Sequence, residues 1–233
     1  MSTAFRGTPG TAAGGTTQQR IVFTNATKVE YLSTNSFIDG TLTTDTGSTP
    51  VGLLRAGLLL GKITATGKFR NSIIGLTSGA VTAGTVTSIT VPAVVATEVA
   101  RLISVNGGNQ SLKIVGPPTA AGTVATTAIT ATAAAGTSIT ITSATLPAYV
   151  SGSFITPADG SETPLIPQVL QYGLSIVDEV SLTRIDQPTR FHPNKGDINV
   201  KAIVNYPTDA SLKAWLKAQL KAASPMFSFT DDR

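Results

Sequence analysis

The sequence predicts a mainly β protein with one C-terminal helix. Three observations carry this. The 233-residue chain holds 37 threonines and 22 glycines, and threonine suits a pleated surface while glycine suits turns. Its apolar residues fall in short runs, several of them alternating, bounded by Gly, Asn or Pro. Helical spacing of apolar residues is clear in one place, near the C-terminus.

The elements follow in order. Residues 1–20 are Gly, Thr, Ala and Gln with two arginines and no acid. They lack the apolar content to fold alone and read as an arm. Ile21-Val22-Phe23 reads as a short strand. Within Val51 to Phe69, Leu58 and Leu60 alternate, then Ile63 and Ala65 follow Gly61, with Lys62, Thr64 and Thr66 on the other face. That is one strand or two, ended by Gly67.

The composition then shifts. Between Asn71 and Val150 only Glu98, Arg101 and Lys113 are charged. Strands are expected at Val86–Val91, Leu102–Val105, Leu112–Val115, Ala128–Ala133 and Ser138–Thr142. Asn106-Gly107-Gly108-Asn109 reads as a hairpin-type turn, since Asn and Gly accept positive φ. Pro92 to Arg101 has room for a short helix, against its β-branched residues. Residues 76–150 are therefore expected to be a small all-β domain inserted into another domain, which is built from 21–75 and 151–233.

After Val150 ordinary composition returns. Asp159-Gly160-Ser161 is a turn, and Leu174–Val177, Val180–Arg184 and Ile198–Val204 read as strands. Leu212, Trp215, Leu216 and Leu220 share a helical face, Lys213, Lys217 and Lys221 form a stripe, Thr208 is the expected N-cap, and Ser224-Pro225 ends the helix.

Composition also bears on function. The chain has no cysteine and one histidine. Disulfides, thiolate nucleophiles, iron–sulfur clusters and two-His metal sites are excluded. Ile114 to Ala158 carries no charge, but Gly116, Pro117, Pro118, Gly122, Gly136 and Pro147 break it, so no spanning helix is expected. Residues 1–20 show no apolar signal core, so the expectation is a soluble protein made in a cytoplasm.

Candidate chemical groups read as structural. His192, in Arg190-Phe191-His192-Pro193-Asn194-Lys195, would need a nucleophile and an orienting acid, with Asp197 the nearest. It reads as a solvated loop residue. Asp159 with Glu162, and Asp178 with Glu179, fit turn chemistry better than a glycosidase pair. The lysine stripe has no interleaved aromatic platform for nucleic acid and reads as a solvated helix face. Trp215 reads as core or subunit interface. No catalytic residue, metal site or cofactor is expected.

Two phrases carry a family resemblance. Ala56-Gly57-Leu58-Leu59-Leu60-Gly61-Lys62-Ile63-Thr64-Ala65-Thr66-Gly67-Lys68-Phe69 resembles the first core strand of tailed-bacteriophage head decoration proteins of the lambda D type. Pro157-Ala158-Asp159-Gly160-Ser161-Glu162-Thr163-Pro164 is similar to the phrase that follows it in that family. The matching positions are Gly61, Thr64, Thr66, Gly67, Asp159, Gly160, Ser161, Glu162 and Pro164. Leu165 to Leu170 departs from the family pattern. The phrases are close together in the family; here the charge-poor block separates them.

The resemblance implies a compact barrel- or sandwich-like β core without catalytic chemistry. It implies a homotrimer bound to the major capsid protein on the outside of the expanded shell, assembled in the host cytoplasm, with no nucleic acid or membrane partner. The arm would add a strand to the capsid protein, with Thr3, Phe5, Arg6, Thr8, Thr16, Gln18 and Arg20 as candidate contacts. Two other readings stay open: a tail or fibre component, and a cell-surface or carbohydrate-binding module carried by residues 76–150. The second is disfavoured because that block offers only Tyr149 as an aromatic.

Overall fold

A computed structural model describes residues 30–47, 52–117, 124–163, 174–178, 181 and 183–230, with backbone only at 30–36, 174 and 189–194. In chain order the elements are β1 (Glu30–Ile38), β2 (Leu53–Leu54), β3 (Leu60–Lys62), β4 (Phe69–Asn71), β5 (Gly75–Leu76), β6 (Gly84–Thr90), α1 (Ala93–Val105), β7 (Gln110–Gly116), β8 (Ala125–Ala135), β9 (Ser138–Leu146), β10 (Phe154–Pro157), β11 (Leu174–Ser175), β12 (Gln187–Asn199), α2 (Ala210–Ala223) and β13 (Phe227–Thr230). The protein is mainly β. It divides into two compact units. The first takes its described residues from 1–71, 164–206 and 219–233, the second from 72–163 and 207–218.

The first unit is built on a mixed five-stranded sheet in the order β13-β12-β1-β4-β3, with a two-stranded ribbon β11-β2. β12 runs antiparallel to β1 and parallel to β13, and β1 meets β4 in parallel. Ile38, Leu54, Leu58, Leu60, Phe69, Ile176 and Val204 close its core. Each such side chain contributes about 1.5–3 kcal/mol when fully buried. Gly57 is needed where it stands. Its φ is +88°, a Cβ there would lie 1.9 Å from the Ala202 carbonyl oxygen, and its own carbonyl accepts from Val204 N at 2.9 Å.

The second unit is an antiparallel six-stranded sheet in the order β5-β10-β7-β8-β9-β6. α1 packs on β7, β8 and β9. Leu112, Ile114, Ile129, Ala131, Ile139 and Ile141 are buried, as are Val95, Ala96, Val99, Leu102 and Ile103 of the helix. Trp215 of α2 sits against Phe154, ring centroids 5.9 Å apart.

The structure corrects several expectations. The 76–150 stretch is not all β. α1 runs through Leu102–Val105, because apolar residues at 95, 96, 99, 102 and 103 give a continuous helical stripe, and its burial outweighs the weak propensity of valine and isoleucine. Asn106–Asn109 does use positive φ, at Gly107 and Gly108. However, the turn ends a helix rather than joining two strands, with Gly108 N donating to Ile103 O at 2.9 Å.

Arg190–Lys195 is strand, not loop. β13 pairs only with Gly196–Asn199 of β12. The far edge of the preceding segment pairs with no strand among the described residues, and an uncovered edge is where a strand tolerates proline. The strand expected at Ile198–Val204 passes into a 3-10 turn at Val200–Ala202. Val180–Arg184 retains one bridge, Val177 to Arg184. The α2 cap is Asp209 rather than Thr208: its Oδ1 accepts from Leu212 N at 2.9 Å. Ile21–Phe23 lies outside the described residues.

Candidate functional site

The first resemblance phrase is a β-hairpin. β3 and β4 pair antiparallel with Leu60 opposite Asn71, Gly61 opposite Arg70 and Lys62 opposite Phe69. Ile63 N donates to Lys68 O at 2.8 Å, and Gly67 N donates to Ile63 O at 2.9 Å. Gly67 has φ +72°, the left-handed region that favours glycine. Thr66 Oγ1 accepts from Lys68 N at 3.3 Å. Thr64, Ala65, Thr66 and Gly67 form an exposed tip, while Gly61 and Ile63 are buried.

The base of this hairpin is tied to distant segments through Lys68. Its ammonium donates to Asp186 Oδ2 at 2.6 Å and lies 3.9 Å from Asp39 Oδ2. Asp186 Oδ1 accepts from Gly40 N at 3.0 Å. Asp39 Oδ1 accepts from Thr41 N at 3.0 Å and Leu42 N at 2.8 Å. Arg184 completes the cluster by donating to Thr43 O at 2.7 Å. The hydrogen bond to Asp186 raises the Lys68 ammonium above its ordinary value against an opposing desolvation, helped by the charges of Asp186 and Asp39. The same bond holds the Asp186 carboxyl below the usual carboxylate range, partly offset by burial and aided by Gly40 N–H.

A third carboxylate ties the β1–β2 connection to Arg55, just after β2. Buried Asp45 accepts from Arg55 Nε at 2.7 Å, from its NH2 at 2.5 Å, from Arg55 N at 3.0 Å and from Gly47 N at 3.2 Å. Thr44 N donates to Asn71 Oδ1 at 3.0 Å. The acids around the hairpin thus hold backbone and paired cations. This arrangement ties the base of the hairpin to the segments around Asp39 and Asp186.

The second phrase is an Asx turn in the other unit. Asp159 Oδ1 accepts from Ser161 N at 3.1 Å and Ser161 Oγ at 2.5 Å. Glu162 Oε2 accepts from Gly160 N at 2.8 Å, and its Oε1 is paired with the Lys113 ammonium. Gly160 has φ +99°. Thus Gly61, Thr64, Thr66 and Gly67 belong to the first unit, and Asp159, Gly160, Ser161 and Glu162 to the second. Pro164 and the arm candidates Thr3, Phe5, Arg6, Thr8, Thr16, Gln18 and Arg20 lie outside the described residues, as does Glu179.

The remaining candidates are placed as follows. Asp178 Oδ1 accepts from Ser181 N at 2.6 Å and Ser181 Oγ at 2.9 Å, a local turn. His192 falls in β12 with its backbone opposite Leu32. Leu212, Leu216 and Leu220 are buried on α2, and Lys221 is exposed. Among the described residues no group of three or more His, Cys, Asp or Glu is arranged to hold a metal, and no helix is long and apolar enough to cross a membrane. Sequence reasoning missed Asp39, Asp45, Arg55 and Asp186. Nothing local in the sequence marks their long-range partners.

Comparison with known proteins finds no matching family model, curated protein or solved structure.

Proposed function

We propose that this chain is a virion structural protein, a decoration protein that binds the outer surface of a phage capsid as a trimer and stabilises the expanded shell without catalysis. The observation that carries the reading is the exposed hairpin made by the phrase resembling the decoration family. Its exposed Thr64–Gly67 tip is anchored through Lys68 to Asp186 and Asp39. A tip tied at its base suits docking, because less freedom is left to lose on binding.

In this reading residues 1–20 add a strand to the capsid protein, where main-chain hydrogen bonds give affinity with little demand on sequence. Three arms per trimer would raise one another's effective concentration. Binding only the assembled lattice lowers the free energy of that state. The test is co-sedimentation with expanded, undecorated capsids: the protein should pellet with them and raise their disruption temperature. Protein left wholly in the supernatant would refute it.

A second reading, a glycan-binding module, draws on an open concavity of about 460 Å³ in the second unit. Its lining mixes polar Ser111, Lys113, Thr130, Thr142 and Ser143 with apolar Leu112, Ile129 and alanines. Binding of the full chain to a glycan array would favour it.

A further inference from the structure

Asn106-Gly107 is the one Asn-Gly pair in the chain, and asparagine is among the thermolabile residues. Asn106 is exposed. It is the C-cap of α1, with φ −92° and ψ 13°. Gly107 takes φ +76°, and nothing lies within 4 Å of where its Cβ would stand. Gly108 N donates to Ile103 O at 2.9 Å, while Gly107 N reaches Ser104 O only at 3.4 Å, the paired bonds of a Schellman end. The two Asp-Gly pairs in the described residues are held differently. Gly40 N donates to Asp186 Oδ1 at 3.0 Å, and Gly160 N to Glu162 Oε2 at 2.8 Å. There a carboxylate keeps the glycine amide proton in place, and Oδ1 of the preceding aspartate is itself occupied by backbone donors. Gly107 N–H faces a neutral carbonyl at long range instead.

We propose that Asn106 is a self-deamidation site whose conversion loosens the end of α1. Gly107 N loses its proton and attacks Asn106 Cγ. The N–Cγ bond forms, the Cγ–Nδ2 bond breaks, and Nδ2 leaves with a proton as ammonia. Water then opens the five-membered imide. Cleavage at Cγ gives aspartate; cleavage at the backbone carbonyl of residue 106 gives isoaspartate, with an extra methylene in the main chain. Nothing is oxidised or reduced. Ring closure requires Gly107 N to eclipse Asn106 Cβ across the Cα–C bond. At ψ 13° it lies close to eclipsing the backbone N of Asn106, and Asn106 Nδ2 donates to Gln110 Oε1. The reaction therefore runs through local opening of the helix end, and the fold slows it. Its product is a carboxylate at a helix C-terminus with no basic residue in the last turn, where the macrodipole opposes it. The extra methylene also displaces Gly108 N from Ile103 O. This inference does not depend on the capsid reading.

The test uses the full chain, incubated at mildly alkaline pH both folded and in urea, then digested and mapped by mass spectrometry, with isoaspartate read by enzymatic methylation. Residue 106 should convert in both states, several-fold faster in urea. Exposed Asn109, in the same turn but followed by Gln110, should keep its amide. Asn106→Asp carries the charge without the extra methylene; it should melt below the parent, and added salt should shrink the gap. An intact Asn106 in the folded chain once the urea sample has converted, equally fast conversion of Asn109, or equal rates in the two states would each overturn the site. Identical melting of Asn106→Asp and the parent would overturn the loosening of α1.

Discussion

Lys68 and Asp186 are 118 residues apart in sequence and bonded at 2.6 Å in the fold. Their pair fastens the base of the exposed hairpin to the segment that precedes β12.

The pair should make stability depend on pH at both ends. Asp186 has a lowered pKa in the fold, so its contribution is present above the ordinary carboxylate value and is lost as pH falls through the folded one. Lys68 has a raised pKa, so its contribution is present below the ordinary ammonium value and is lost as pH rises through the folded one. Asp186→Asn should lower the melting temperature slightly between these limits and leave it unchanged beyond them. Because the pair is exposed to solvent, added salt should shrink the difference. Melting curves from about pH 3 to about pH 11 check this. Equal melting of the two proteins at every pH and low salt would refute it.

Asp45→Ala should cost more. The change removes a buried carboxylate that accepts four hydrogen bonds from Arg55 and Gly47, leaving their donors without it. The expected loss is about 1–3 kcal/mol in urea unfolding. A change below about 0.5 kcal/mol, the level of an ordinary surface substitution, would contradict the role given to Asp45.

Two glycines with positive φ should respond very differently to alanine. At Gly57 the new Cβ meets the Ala202 carbonyl oxygen at 1.9 Å; at Gly136, φ +56°, it meets nothing within 4 Å. Gly136→Ala should cost about 1–2 kcal/mol, the left-handed penalty alone. Gly57→Ala adds a backbone clash and should cost several-fold more or prevent folding of the first unit. Comparable expression and melting of the two variants would contradict the close approach.

The mainly β class, the positive φ at Gly107 and Gly108 and the Asx turn at Asp159 were legible, because they depend on residues within a few positions of one another. α1 was only half legible. Its apolar stripe was present in the sequence, but valine and isoleucine suit strand as well as helix, and the strands that bury the stripe are assembled from elsewhere in the chain. β12 was misread because a proline excludes only a position whose N–H must donate, and which edge of β12 is covered depends on β13. The Lys68–Asp186 and Asp45–Arg55 pairs were invisible for the same reason: each is made by chain segments that sequence spacing does not connect.

The arm gives the reading its sharpest mutational form. Deleting Ser2 to Gln19 should leave a folded, soluble protein with an unchanged number of subunits that no longer stays on capsids. Undiminished capsid affinity in the deletion would remove the arm from the mechanism.

Imaging expanded, undecorated capsids after mixing with the full chain tests the central claim most directly. The account predicts threefold knobs of density on the outer surface, seated at local threefold positions. A bare exterior at saturating protein would contradict it.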